Sequence, residues 1–580
     1  MPVNVSFPGV YIHEVKSRVR TITGVPTSVA AFVGPTPRGP SGKAVHITGW
    51  ADYEAQFGGL DGSKDDRKMG HAVYQFFLNG GTDAEIVRLV ADAEAAQVRV
   101  GKGGTARGAD DKRPTLEAAS PGSWALNLRV RVDHDNIPTK NTELYNLTVR
   151  DIGTGAQESY TNISSDPDSP RSLKKVLSGS RLVAVAPDGE GEGRPAAHGE
   201  PKAASDDSLA GDRVITVKPD DGAGAHGGAN GDGDEEPDGE GDAGDGGGGN
   251  GDRNRRGGRP QQRTLFEEAK LRGQPVTEGL GLDDYRGSAA AQTGIHALLK
   301  TDIFNLLCLP GAPKEVLTAL LPEALQLCVE RRAVLLVDPP EEWKEKNAAE
   351  VAKSVLDDPV LRGESAKNAA LYFPEVLAPD PLDGVTKEFP PCGVMAGVLA
   401  RTDAQRGVWK AAAGTDASLT GVTGLTTVLT DRENGLLNPL GVNCLRQLPL
   451  VGPVAWGART LRGADRLADE WKYLPVRRLA LFLEESLFRG TQWVVFEPND
   501  EPLWSSIRLN VGAFMNSLFR EGAFQGRTPE EAYLVKCDRE NNPQNDIDRG
   551  IVNIQVGFAP LKPAEFVIIH IEQLAGQIQT

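Results

Sequence analysis

The sequence predicts a multidomain protein of mixed α/β class, on three observations. Apolar strand-like runs alternate with helix-length stretches between residues 286 and 430, period-two runs dominate 127–185, and both chain ends read as strands. At 580 residues the chain exceeds the roughly 100–200 residues of one domain, so several hydrophobic cores are expected.

Residues 1–22 read as an extended N-terminal arm. Val3, Val5 and Phe7 alternate with Asn4 and Ser6, Pro8-Gly9 supplies a bend, and Val10 and Tyr11 open a second apolar run. Such terminal strands need a sheet edge for their backbone groups, either on this chain or on a neighbouring copy. In 23–95, Val73, Phe76 and Phe77 fall at helical spacing, Asn79-Gly80-Gly81 ends that helix, and "EIVRLV" follows as a short buried strand. In 96–285 the period changes to two. Leu128, Val130 and Val132 alternate with Arg129 and Arg131 in "NLRVRV", and "YNLTVRD" repeats the pattern, which predicts an inserted, mainly antiparallel β domain.

Most of the formal charge of −17 sits in one place. Pro187 to Asp252 holds 18 Asp plus Glu against 4 Lys plus Arg, which leaves the remainder nearly neutral. A nucleic-acid binder needs a basic stripe, so that class is disfavoured, whereas a near-neutral body suits dense self-association. The Gly/Asp-rich stretch 187–263 is too poor in apolar residues to offset its ordering entropy and reads as a flexible loop. It lacks the nonapeptide period and the EF-hand spacing of calcium sites. Arg253, Arg255, Arg256, Arg259 and Arg263 follow without aromatic interleaving and balance the acidic run.

In 286–430 a helix from Ser288 to Lys300, the strand "NLLCLPG", a helix from Lys314 to about Arg331 and the strand "AVLLVDPP" suggest a βαβ unit on a parallel sheet. Gly311 and Asp338 then stand at strand carboxyl ends, where an α/β enzyme places its chemistry. The same dipeptides serve as ordinary strand-exit turns. Other catalytic patterns fail: "GPSGKA" has Pro37 and Ala44 where a phosphate loop needs Gly and Ser or Thr, and Ser172 with Lys175 lacks its companion motifs. The five cysteines are scattered without C-x-x-C spacing and read as reduced, buried thiols, so no metal or cofactor is expected. Met1 to Gly9 show no signal-peptide pattern and no run approaches the roughly 20 apolar residues of a span, so a product of the cytoplasm without direct membrane insertion is expected.

In 431–580 the helix Ser505 to Phe519 places Ile507, Val511, Phe514 and Leu518 on one face and Arg508 and Arg520 elsewhere. Val552, Ile554 and Val556 then alternate with polar residues, and "PLKPAEFVIIHIEQ", with Phe566, Ile568 and Ile571, supplies a further strand.

Together these stretches resemble the contractile phage tail sheath family. The resemblance opens with "PGVYIHEVKSRVRTITGVPTSVAAFVGPTPRGP", returns in "FFLNGGTDAEIVRLV" and "SDPDSPRSLKKVLSGSRLVAV", and is strongest in "NPLGVNCLRQ", "WGARTL", "WKYLPVRRLALFLEESLFRGTQWVVFEPND", "GRTPEEAYLVKCD" and "GFAPLKPAEFVIIHIEQ". It covers about Pro8 to Val90 and Asn438 to Gln573, more weakly Ser288 to Ala413. It implies an inner domain built from both chain ends, with an outer β-rich domain inserted. It further implies a homo-oligomer of stacked hexameric rings around an inner tube protein, with baseplate and tail terminator or cap proteins as partners and no nucleic acid. The terminal arms would exchange strands between subunits through Val3, Val5, Phe7, Val10, Tyr11, Val552, Ile554, Val556, Phe566, Ile568 and Ile571, and Arg508 or Arg520 would face the tube. Such particles include phage tails, tailocins and extracellular contractile injection systems.

Overall fold

The computed structural model describes residues 20–60, 64–91, 95–100, 113–187, 189, 191, 193–198, 213–217, 265–270, 280–358 and 360–570. Val3, Val5, Phe7, Val10, Tyr11, Ile571 and most of the acidic stretch lie outside them. The chain divides into two compact units: residues 94–275 form one, and residues 1–93 with 276–580 form the other.

The larger unit is built on an eight-stranded sheet. Its strands are β1 (Ala30–Pro35), β2 (Ala44–Ile47), β3 (Ala84–Leu89), β4 (Leu306–Cys308), β5 (Val334–Val337), β6 (Ala369–Phe373), β7 (Val442–Leu448) and β8 (Gly452–Ala455). They lie in the order β8-β7-β6-β5-β4-β1-β3-β2. The inner six are parallel, and β2 and β8 close the edges antiparallel. β1 pairs with β3 on one side and with β4 on the other, so the sheet joins sequence from both sides of the inserted unit.

The central strands are apolar at successive positions because both faces are covered. Ala31, Val33, Leu307 and Leu335 enter one core, whereas Ala30, Phe32, Leu306 and Leu336 enter the other. Helix α1 (Lys64–Leu78) contributes Met69, Val73 and Phe76 to the second face, and helix α2 (Lys314–Glu330) contributes Leu320, Ala324 and Cys328 to the first. Helix α3 (Cys392–Arg406) packs beside α1 through Val394, Met395 and Val398.

The chain then forms α4 (Leu474–Gly490), α5 (Glu501–Arg520) and a two-stranded antiparallel sheet of β9 (Tyr533–Lys536) and β10 (Gln555–Phe558). Asp500 starts α5 by accepting the Leu503 N–H, Pro502 suits its first turn, and Arg520 complements the dipole at its end. Ile507, Val511, Phe514 and Leu518 are buried in a core shared with Leu479, Leu483 and Ile22.

In the inserted unit, the strand Leu128–Asp133 pairs antiparallel with Leu144–Asp151, which pairs with Gln157–Ser164. Leu128, Val130 and Val132 are fully buried. Arg129 is buried as well, with its guanidinium donating to the Leu126 and Leu128 carbonyls.

Three expectations need correction. The stretch 187–263 is not loop throughout: Arg213–Val217, rich in β-branched residues, pairs with Leu265–Lys270 and so joins the five-stranded sheet of this unit. His198 also lies along the neighbouring strand, its backbone N–H donating to the Val132 carbonyl and its ring Nδ1 accepting the Val132 N–H. The helix from Ser288 to Lys300 shrinks to a 3-10 stretch, Gly294–Lys300, because Gln292 and Gly294 adopt left-handed φ of 55° and 60°. The C-terminal strand expected in "PLKPAEFVIIHIEQ" does not form with any described residue of this chain.

Candidate functional site

The candidate site is the C-terminal arm and its attachment to the larger unit. Strand β10 is short: Val552 and Ile554 precede it as half-buried, irregular chain, Val556 lies within it, and all three pack on the core beneath α5. Just beyond, the Gln525 N–H donates to the Ala559 carbonyl and the Ala559 N–H donates to Ala532, both at 2.9 Å. Pro560 still bridges antiparallel to Phe524, and beyond it the chain leaves the sheet. Pro560 and Pro563 have no N–H to contribute to a ladder, and 561–570 forms no strand with any described residue.

One residue in this segment is held firmly. Glu565 receives both sides of the Arg459 guanidinium, Nε to Oε1 at 2.7 Å and Nη2 to Oε2 at 2.6 Å, and the Tyr473 hydroxyl donates to Oε2 at 3.2 Å. Arg459 Nη1 donates to the Asn438 and Gly463 carbonyls and to Asp465 at 2.9 Å, while Lys472 pairs with Asp465 at 2.7 Å. The Arg459 side chain is 0% exposed and that of Glu565 is 14% exposed. Two cations and two carboxylates thus offset each other where an unpaired guanidinium would be costly. Immediately after it, Phe566, Val567, Ile568 and Ile569 are 74–80% exposed. A cleft of about 870 Å³ opens between 561–566 and Trp409, Lys410 and Trp456.

Of the two arginines expected near a tube, Arg508 is engaged, donating to Glu501 at 2.6 Å and to the Cys537 carbonyl. Arg520 is exposed at the end of α5 with no ion pair among the described residues. Arg459 and Glu565 were not singled out from the sequence. The available signal was a lone arginine inside the apolar run "WGARTL", which must either reach solvent or find an acid.

The enzymatic reading at Gly311 and Asp338 is not upheld. Gly311, at φ 67°, is a tight turn whose missing Cβ leaves room for Lys68, 2.5 Å from where that carbon would sit. Asp338 is buried, and its Oδ1 accepts the backbone N–H of Cys392 at the start of α3, 2.8 Å away. Burial pushes its carboxyl up to about 7, and the nearby Glu375 carboxylate pushes the same way. A carboxyl raised in the folded state stabilises fully below its ordinary range, and that contribution is lost as pH rises through 7. Asp338→Asn keeps the acceptor and removes the titration. Thermal denaturation from about pH 5 to 8 should therefore fall for the wild type relative to the variant; parallel curves would refute the assignment.

Two family models match the chain: the phage tail sheath protein central domain over residues 284–461 and the phage tail sheath C-terminal domain over 468–573. The chain belongs to the phage tail sheath family. Among relatives, a tail sheath protein of Vibrio phage KVP40 is 27% identical over 182 residues, 31% of this chain and 26% of that protein. A putative prophage major tail sheath protein of Pseudomonas aeruginosa is 25% identical over 292 residues, 48% of this chain and 68% of that one. The matched part therefore spans about a quarter of the phage sheath protein and about two thirds of the prophage one. The helical sheath of the anti-feeding prophage, solved in its contracted state, superposes with a TM-score of 0.52 at 21% identity, covering 98% of this chain and 99% of that chain. That similarity shows the fold: the sheath fold extends across the inserted unit, although the family models begin after it. A sheath protein is structural, and the enzyme alternative has no support in the family. Among the described residues no helix is long and apolar enough to cross a membrane.

Proposed function

We propose that this sheath protein polymerises as stacked hexameric rings around an inner tube and contracts to drive the tube through a target membrane. The observation that carries the reading is the apolar run Phe566, Val567, Ile568 and Ile569, exposed and outside any strand directly after a firmly held Glu565. Four consecutive large apolar residues of strand-forming type on a solvent-facing backbone call for a sheet edge on another copy. Val3, Val5, Phe7, Val10 and Tyr11 would form the matching N-terminal arm and Ile571 would extend the C-terminal one. Val552, Ile554 and Val556 would serve as the platform, since β9 and β10 form a two-stranded sheet whose outer edges can accept strands. Contraction is then a rigid-body rearrangement of subunits while strand pairing between them persists. Arg520 would meet acidic residues of the tube protein, and baseplate and terminator or cap proteins would bound the polymer. The domain plan behind this reading is the arm 1–22, an inner part 23–95, the outer insertion 96–285, the α/β part 286–430 and the C-terminal inner domain 431–580. The protein would be made in the cytoplasm and built into a phage tail, a tailocin or an extracellular injection particle.

Electron microscopy of the protein co-expressed with its tube protein tests this. Wild type should give striated cylinders, a chain lacking 566–580 should stay as discrete particles, and Arg520→Glu should give cylinders that lose the tube. Discrete wild-type monomers would overturn the sheath reading, and retained tube would overturn the role of Arg520.

A further inference from the structure

The attachment of the arm contains two routes for tension. One runs through Ala559 and β10 into a two-stranded sheet, which is marginal on its own. The other runs through Glu565 into Arg459. The backbone of Arg459 is tied to the large sheet: its N–H donates to the Asn443 Oδ1 at 2.7 Å, and Asn443 Nδ2 donates back to its carbonyl at 2.8 Å. Asn443 is fully buried on β7, which pairs with β6 on one side and β8 on the other. The neighbouring Leu461 N–H donates to the Ala369 carbonyl at the start of β6. Gly457 allows this approach, since a Cβ there would sit 2.8 Å from the Asn443 backbone. Between the two routes lie Pro560 and Pro563, which stiffen the connection and hold no unsatisfied donor.

We infer that the Arg459–Glu565 pair is the joint through which tension on the C-terminal arm enters the eight-stranded sheet, sparing the small β9–β10 sheet. This rests on the reading of 566–569 as an arm held by another copy. A bidentate, largely water-excluded pair is suited to the task because it resists both sliding and rotation of the segment. It also fixes the direction in which Phe566 departs, and with it the pairing position of the strand beyond. Asn443 is a positioning residue, acting on the arm only through Arg459.

The test uses Glu565→Ala and Glu565→Gln, which leave the buried arginine in place. All five native cysteines are buried, so a nitroxide on Phe566→Cys reports the arm alone in unassembled protein. Its spectrum should be restricted while Glu565 is present and freely mobile once Glu565→Ala is added. In assembly, Glu565→Ala should lower the fraction of protein pelleting as sheath by about tenfold, the scale of one lost charge-assisted contact. Glu565→Gln, which keeps the acceptor without the charge, should fall between. The melting temperature of the unassembled chain is the control: it should fall for Glu565→Ala, which leaves Nε and Nη2 of the buried Arg459 without an acceptor, and fall less for Glu565→Gln, while the chain stays folded because Asp465 and two carbonyls still hold Nη1. A spectrum insensitive to Glu565→Ala, or polymers as abundant as wild type, would overturn the inference. If wild type itself forms no polymer, the sheath reading fails instead, and the nitroxide result still decides whether the pair holds the segment.

Discussion

An Asp403→Ala chain is expected to lose about 3–5 kcal/mol of stability, the cost of leaving a buried guanidinium uncompensated. The side chains of Asp403 on α3 and Arg478 on α4 are each 4% exposed and meet in two bonds of 2.9 and 2.6 Å. Thr27, just before β1, adds its hydroxyl to Asp403 at 2.6 Å, and its carbonyl accepts from Arg478 at 3.0 Å. Three segments separated by up to 451 residues thus close on one ion pair. Urea denaturation of the unassembled protein checks this, with Thr27→Val expected to cost about 1 kcal/mol. A change below about 1 kcal/mol for Asp403→Ala would show that water reaches Arg478.

A comparable loss is expected from Gly393→Ala. Helices α1 and α3 approach so closely that an added Cβ at Gly393 would lie 2.2 Å from the Ala72 carbonyl oxygen, and one at Gly397 would lie 2.6 Å from that of Phe76. The obstacle is helix backbone, so relief requires the two helices to separate. We expect about 3 kcal/mol or more, at the upper end of overpacking, and Gly393→Val should abolish recovery of folded protein. Gly512→Ala on α5 is the contrasting case. Nothing lies within 4 Å of its added carbon, so helix propensity alone should stabilise by about 0.5–1 kcal/mol. Circular dichroism melts of both variants separate close packing from propensity, and equal shifts would refute the helix-contact account.

The parallel sheet was legible because a strand covered on both faces must be apolar at successive positions, as "AVLLV" and "NLLCL" are. Helix α5 was legible because its one buried face repeats at Ile507, Val511, Phe514 and Leu518. The strand Arg213–Val217 was hidden by its low-complexity surroundings, where composition outweighed five residues of good pattern. Residues 561–570 misled in the opposite sense: their side chains favour strand, but strand also needs an edge within reach, and the described residues of this chain pair none with them. The Arg459–Glu565 pair was out of reach because its partners lie 106 residues apart. Local spacing carries no information about a contact made by tertiary structure. The Asp403–Arg478 pair was missed for the same reason.

The position of β1 also sets an order of events during synthesis. Its first neighbour, β3, leaves the ribosome soon after it, but its second, β4, does not, and the Val29 N–H waits for Asn305, 276 residues downstream. At roughly 5–20 residues per second that delay amounts to tens of seconds. During it the inserted unit, which has a core of its own, can fold first. The nascent segment that carries β1 and β3 therefore shows an open strand edge to solvent until the insertion has been made, and a chaperone or an early contact with another nascent copy would find it there.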